Sequence, residues 1–190
     1  AHANVATVAW TGIVNTQPPK TYISLRKSRY SYELLEKSGE CVINLTTAEM
    51  VRKVDYCGIY TGRKVDKFAK CGFTKAAASA VSVPLIAESP LSLECRVIRA
   101  EELGTHVMFL CDIVATDVDD SLLDAAGALD LSRAHLMTYA HGEYFALGKK
   151  IGKFGFSAAK KNALATAKRL RVAEEELHPA GKGAVLAFRR

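Results

Sequence analysis

The sequence predicts a mainly β domain, either a closed antiparallel barrel or a sandwich, on three observations. Runs of β-branched and aromatic residues recur at short spacing through the first two-thirds of the 190 residues, most of them bounded by turn-forming residues. The helical stretches between them are few and do not alternate with strands as a βαβ fold requires. No Gly-x-Gly-x-x-Gly follows a strand, which removes the anchor of a Rossmann reading.

The elements follow in order. Val5–Trp10 reads as the first strand, and Gln17-Pro18-Pro19 as a stiff turn, because neither proline can donate to a ladder. Thr21–Arg26 is the next strand and Tyr30–Lys37 the first helix. Glu40–Leu45 returns to strand, followed by a helix over Ala48–Tyr56 and a short one over Val65–Lys70. Leu91–Arg99 and Val107–Val118 are strands, and Gly142–Gly148 a further short one. Between the last two, Leu122–Ala134 is an excursion rich in Asp, Ala and Gly, and Gly148–Gly155 is a Gly/Lys loop without periodicity. After Ser157 the composition shifts to Ala, Lys, Arg and Glu, and Ala158–Leu177 has good helix propensity until Pro179 ends it. The domain is thus expected over residues 1–157, with a basic helical extension over 158–190 of no assigned role.

Composition narrows the function classes. Hydrophobic residues make up 49% and charged residues 24%, enough for one sizeable core. No apolar run approaches the ~18 residues of a membrane span, and no charged-then-apolar signal segment opens the chain. A cytoplasmic protein without membrane contact is expected. The net charge of +6 is concentrated in the tail, where Lys160, Lys161, Lys168, Arg169, Arg171, Lys182, Arg189 and Arg190 outnumber Glu174, Glu175 and Glu176. A nearly neutral body with a basic tail reads as a solvated extension, and no nucleic-acid partner is expected.

The cysteines Cys41, Cys57, Cys71, Cys95 and Cys111 form no C-x-x-C, and no histidine stands at zinc-finger spacing from them. No metal site is expected. Cys41, Cys95 and Cys111 lie in apolar strand runs, where a thiol behaves as a small hydrophobe.

The sharpest local feature is Ser24-Leu25-Arg26-Lys27-Ser28-Arg29-Tyr30-Ser31. On a strand, Ser24 and Arg26 share a face. Ser28 is a suitable N-cap for a helix starting near Arg29 to Ser31, and the first N–H groups and dipole of such a helix favour an anion. Arg26 can add a forked, charge-assisted contact and Ser31 a hydroxyl donor. The segment fits a phosphate without saying which one, and it equally describes a capped surface helix with solvated arginines.

Several segments, in their joint order and spacing, resemble the flavoredoxin and flavin-reductase-like family. They are Asn4–Gly12, Pro18–Arg26 with Arg29-Tyr30-Ser31-Tyr32, Val42–Thr46, Gly62–Phe68 and Pro84–Pro90. Leu93-Glu94-Cys95, Gly104–Phe109, His141–Tyr144 and Ala146–Gly148 continue the series. The resemblance covers about residues 4–157. It implies an antiparallel Greek-key split β-barrel with a few peripheral helices, forming a homodimer that binds FMN near the dimer interface. It also implies electron transfer, with NAD(P)H as a transient co-substrate and a redox protein or free flavin as acceptor. A barrel of the same kind that holds flavin or haem without turnover is the alternative.

Carried over by position, Asn4, Ala9, Trp10, Thr11 and Gly12 border the flavin ring. Ser24, Arg26 and Ser31 take the phosphate, and Lys67 is a cofactor-binding lysine. His106 is the histidine of the Gly-x-His turn, placed by the flavin or the nicotinamide and the one catalytic candidate. Where many flavin reductases have Gly-Asp-His this chain has Gly104-Thr105-His106, which leans towards the flavoredoxin branch. A strand that relatives place before Asn4 is expected to be missing here.

Overall fold

The computed structural model describes residues 3–158. The chain divides into two compact units, residues 1–148 and residues 149–190. In the described part of the second, residues 156–158 form a single 3-10 turn. The helix expected beyond Ala158 lies outside the described residues.

The first unit is mainly β. Its strands are β1 (Thr11–Thr16), β2 (Pro19–Leu25), β3 (Glu40–Asn44), β4 (Lys75–Ala76), β5 (Leu85–Ile86), β6 (Leu91–Glu102), β7 (Val107–Val118), β8 (Met137–Ala140) and β9 (Glu143–Ala146). The helices are α1 (Tyr30–Ser38), α2 (Val51–Ile59) and α3 (Lys67–Cys71). Five strands form one antiparallel sheet in the order β1-β2-β7-β6-β3, while β4-β5 and β8-β9 are separate two-stranded pairs. The chain leaves β2, runs through α1 and returns at the far edge of the sheet, where Cys41 faces Cys95 across β3 and β6.

Strand alternation explains the main core. Thr21, Ile23 and Leu25 of β2 and Val107, Phe109 and Cys111 of β7 are buried on one face. Leu35 of α1 and Cys95 of β6 close the cluster. Cys95 and Cys111 are fully buried and Cys41 partly so, in agreement with their reading as small hydrophobes. A second core joins α2 and α3 through Met50, Val54, Cys57, Phe68, Phe73 and Ile86. Helix termination is as chemistry requires at Gly39 and Gly72, whose φ of +65° and +59° end α1 and α3 in the left-handed region.

Two expectations are corrected. Val5–Trp10 is not a strand: this segment runs outside the sheet and is tied down by α2, α3 and β2 instead. The Thr7 hydroxyl donates to Val54 O, Lys67 Nζ donates to Val5 O, and Ser24 N donates to Trp10 O. The first strand is Thr11–Thr16, paired with β2. Ser28 is also not the cap of α1. Arg29 N donates to Arg26 O in a tight turn, so Ser28 falls inside that turn, and Arg29 holds the N-cap position without a side-chain cap bond.

Glu94 is a buried charge with an evident purpose. Its carboxylate accepts from Ser79 N, Ser79 Oγ, Ala80 N and Val81 N at 2.6–2.9 Å. Burial opposes its ionisation, but these donors outweigh that cost and hold its pKa down at about 2. It thereby pins the loop between β4 and β5 onto β6.

Candidate functional site

Four segments converge on one cavity of about 510 Å³. They are the extended run from Asn4 to Trp10, the end of β2 with its turn into α1, the end of α2 with the loop to Gly62, and the start of α3. His106 from the β6–β7 turn and Tyr139 from β8 complete the wall.

Each functional side chain has a local reason for its position. At the end of β2, Leu25 turns into the core, while Ser24 is half-buried and Arg26 exposed, both lining the cavity. The Arg26–Arg29 turn then aims the start of α1 at the same space, where Tyr30 and Ser31 form its wall. Asn4 Nδ2 donates to Ser31 Oγ at 2.8 Å, fixing the N-terminal segment against the helix. That approach requires glycine at position 62: a Cβ there would stand 2.0 Å from Asn4 Oδ1.

Lys67 is the decisive group. Its side chain is buried, and Nζ donates to Val5 O and to Cys57 O at 2.7 Å each. An ammonium has three donors, so one remains for whatever fills the cavity. Burial lowers its pKa, and the nearby Arg29 charge adds to that effect. Among the described residues, no ion pair joins Lys67 or Arg26 to a carboxylate, and no Asp or Glu lines the cavity. Arg29 itself reaches Gly58 O at 3.3 Å. Three cations around a cavity whose described lining holds no acidic residue suit an anion electrostatically.

The structure brings Asn4, Ala9, Trp10, Ser24, Arg26, Ser31, Lys67 and His106 to this single cavity. Thr11 and Gly12 lie just beyond it in β1, where Thr11 Oγ1 donates to Tyr22 O at 2.7 Å. Trp10 stands at the rim with 63% of its surface exposed. His106 is half-buried, with Nδ1 2.9 Å from Thr105 Oγ1. Sequence reasoning missed Cys57, Thr61, Gly62 and Tyr139. For Gly62 a signal existed, since a glycine before Arg63-Lys64 can mark a close backbone approach. For Tyr139 there was none, because β8 itself went unrecognised.

The fold matches a known class. Similar solved structures share the fold and define it as a split barrel. The flavoredoxin of Desulfovibrio vulgaris (Miyazaki F) is 35% identical over 83% of this chain and 85% of its own, with a TM-score of 0.76. The flavoredoxin from Methanosarcina acetivorans is 30% identical over 82% of this chain and 84% of its own, with a TM-score of 0.74. An uncharacterized protein of Archaeoglobus fulgidus is 30% identical over 142 residues, covering 75% of this chain and 79% of that protein. The flavin reductase like domain matches residues 1–148, and the chain belongs to that family.

Proposed function

We propose that this protein binds FMN in the cavity and transfers electrons through it, drawing them from NAD(P)H. The observation that supports this most is the buried Lys67 ammonium, which lines the cavity beside Arg26 and Arg29 with no carboxylate among the described residues to balance it. A neutral ligand would leave these charges uncompensated, whereas FMN brings a phosphate bearing roughly −1.5 to −2 charges for the arginines and a ring that gains negative charge on reduction for Lys67. The flavoredoxin neighbours support the same cofactor.

Bound flavin supplies the redox chemistry, exchanging electrons one or two at a time. The chain's own residues bind and orient. Ser24, Arg26 and Ser31, with the N-terminus of α1, hold the phosphate by hydrogen bonds and charge. Lys67 keeps its third N–H for the flavin and stabilises negative charge on the reduced ring. Asn4, Ala9, Trp10, Thr11 and Gly12 border the ring, and His106 flanks the space a nicotinamide would enter.

A second copy of the chain completes the site in this reading. Trp10, Ile13 and Val14 expose 63%, 60% and 51% of their surface at one end of the cavity and along edge strand β1. Apolar groups grouped this way suit an interface between copies. Sedimentation equilibrium should give a dimer, and a monomer at micromolar concentration would contradict this.

Anaerobic addition of NADH or NADPH to the FMN-loaded protein tests the reaction. Bleaching of the visible flavin bands, reversed by an added acceptor, is expected. Stable bands in the presence of both nicotinamides would identify a passive flavin holder.

A further inference from the structure

We propose that Cys57 and Cys71 are a redox-active dithiol that carries electrons from the flavin cavity to an external disulfide. This rests on the flavin reading above and names the chemical class of the electron acceptor.

The two residues come from different elements, Cys57 on α2 and Cys71 at the last position of α3. Their sulfurs lie 3.7 Å apart, in S–H···S contact. A disulfide needs about 2.05 Å between sulfurs, so closure is an approach of less than a bond length, within reach of side-chain rotation and a small helix shift. The pair borders the site on one member only. Cys57 is buried and lines the cavity, while Cys71 is partly exposed and does not line it.

Lys67 links the pair to the cavity in a second way. It donates to the carbonyl of Cys57, and it precedes Cys71 by one helical turn on α3. Burial and the neighbouring Cys71 sulfur push the Cys57 thiol up, and the Lys67 charge offsets only part of this; the thiolate is the form that attacks sulfur. The other three cysteines, Cys41, Cys95 and Cys111, are packed in the sheet core away from this cavity. The family reading assigns none of the five cysteines a role.

The chemistry balances in two stages. The Cys71 thiolate attacks an external disulfide, one external thiol leaves, and a mixed disulfide forms at Cys71. The Cys57 thiolate then attacks the Cys71 sulfur, the second external thiol leaves, and the Cys57–Cys71 bond closes. Two protein thiols are oxidised and one external disulfide is reduced to two thiols. In the return stage, reduced flavin gives two electrons and two protons. The S–S bond breaks, both sulfurs become thiols and the flavin is left oxidised. Burial holds Cys57 largely as the thiol, with its pKa pushed up to about 12, so the closing step should quicken as pH rises across the neutral range.

The test uses the whole protein and oxidised glutathione under anaerobic conditions, with alkylation of remaining thiols and peptide mass spectrometry. The expected result is loss of two of the five thiols, with Cys57 and Cys71 in one linked peptide. Anaerobic, stoichiometrically reduced FMN should then restore both thiols while its visible bands return. Cys71→Ser should abolish both effects and still bind FMN, and Cys41→Ser should change neither. A protein that binds FMN yet keeps all five thiols, or stops at glutathione on Cys71, overturns the proposal. So does a closed disulfide that bound reduced FMN leaves intact. A protein that closes the disulfide but retains no FMN contradicts the flavin reading and with it the flavin-linked relay, a failure told apart from the others by the missing flavin absorbance.

Discussion

Asn4 Nδ2 donates to Ser31 Oγ at 2.8 Å, and this one bond joins the extended N-terminal segment to the start of α1 across the mouth of the cavity. The other side of the Asn4 amide lies against Gly62, where a Cβ would come within 2.0 Å of Oδ1. Three residues far apart in the chain thus fix one wall of the proposed flavin site.

Gly62→Ala tests that wall. The added methyl must push Asn4 off Ser31, because Oδ1 and Cγ of the amide both sit inside contact distance of it. Overpacking of this kind costs about 1–3 kcal/mol, and the expected outcome is weaker FMN binding, by about tenfold, with a modest loss of stability. Fluorescence titration and thermal unfolding read the two effects separately. Unchanged binding would remove Asn4 from the site.

Arg26→Ala addresses the phosphate. A charge-assisted hydrogen bond is worth about 1.5–3 kcal/mol, so FMN affinity should fall by roughly tenfold to a hundredfold. Riboflavin, which lacks the phosphate, should bind the variant and the parent alike. Equal losses for both ligands would move Arg26 to the ring end of the cavity.

His106→Ala separates binding from reaction. The ring stands half-buried at the cavity wall, held by Thr105, where a nicotinamide would approach. The variant should slow nicotinamide oxidation, by about tenfold or more on the scale of general acid–base or positioning groups, while FMN affinity changes little. Stopped-flow reduction against FMN titration gives the comparison, and equal effects on both would make His106 a flavin-holding residue.

The fold was legible from the sequence where a strand has a buried face. Val107–Val118 matched β7 at both ends, because alternation there reports directly on a core. β1 was hidden for the opposite reason: Thr11–Thr16 is exposed at nearly every position, so nothing in its pattern marks it. Val5–Trp10 carries strand-like residues, yet its hydrogen-bond partners are a lysine, a helix carbonyl and one β2 amide, none of which a local pattern reveals. The lining of the cavity was legible where its residues lie close in sequence, as at Ser24, Arg26 and Ser31. That Lys67 is buried and bonded to two carbonyls could be seen only once α3 had been packed beneath the N-terminal segment.

The buried carboxylates predict a pH signature. Glu94 ionises more readily in the folded protein, so its stabilisation is complete above its unfolded value near 4.5 and disappears as pH falls through about 2. Asp117 behaves in the opposite sense. Burial and the Glu94 charge raise its pKa above the ordinary 3.8, and among the described residues its Oδ2 has no hydrogen-bond partner. It therefore costs stability above its folded pKa, and the cost vanishes below 3.8. Asp117→Asn should stabilise the protein by about 1 kcal/mol near neutrality and by nothing in acid below that point. Urea unfolding at the two pH values measures the difference. Stabilisation of the same size at both would place the effect in packing.

In the proposed site Arg26 and the start of α1 hold the phosphate of FMN. Side-by-side titration of the protein with FMN and with riboflavin tests it most directly, since the two ligands share a ring and differ in that group alone. FMN should bind at least about tenfold more tightly, corresponding to one charge-assisted contact or more, and the preference should shrink as salt is added. Equal affinities, or no binding of either, would contradict it.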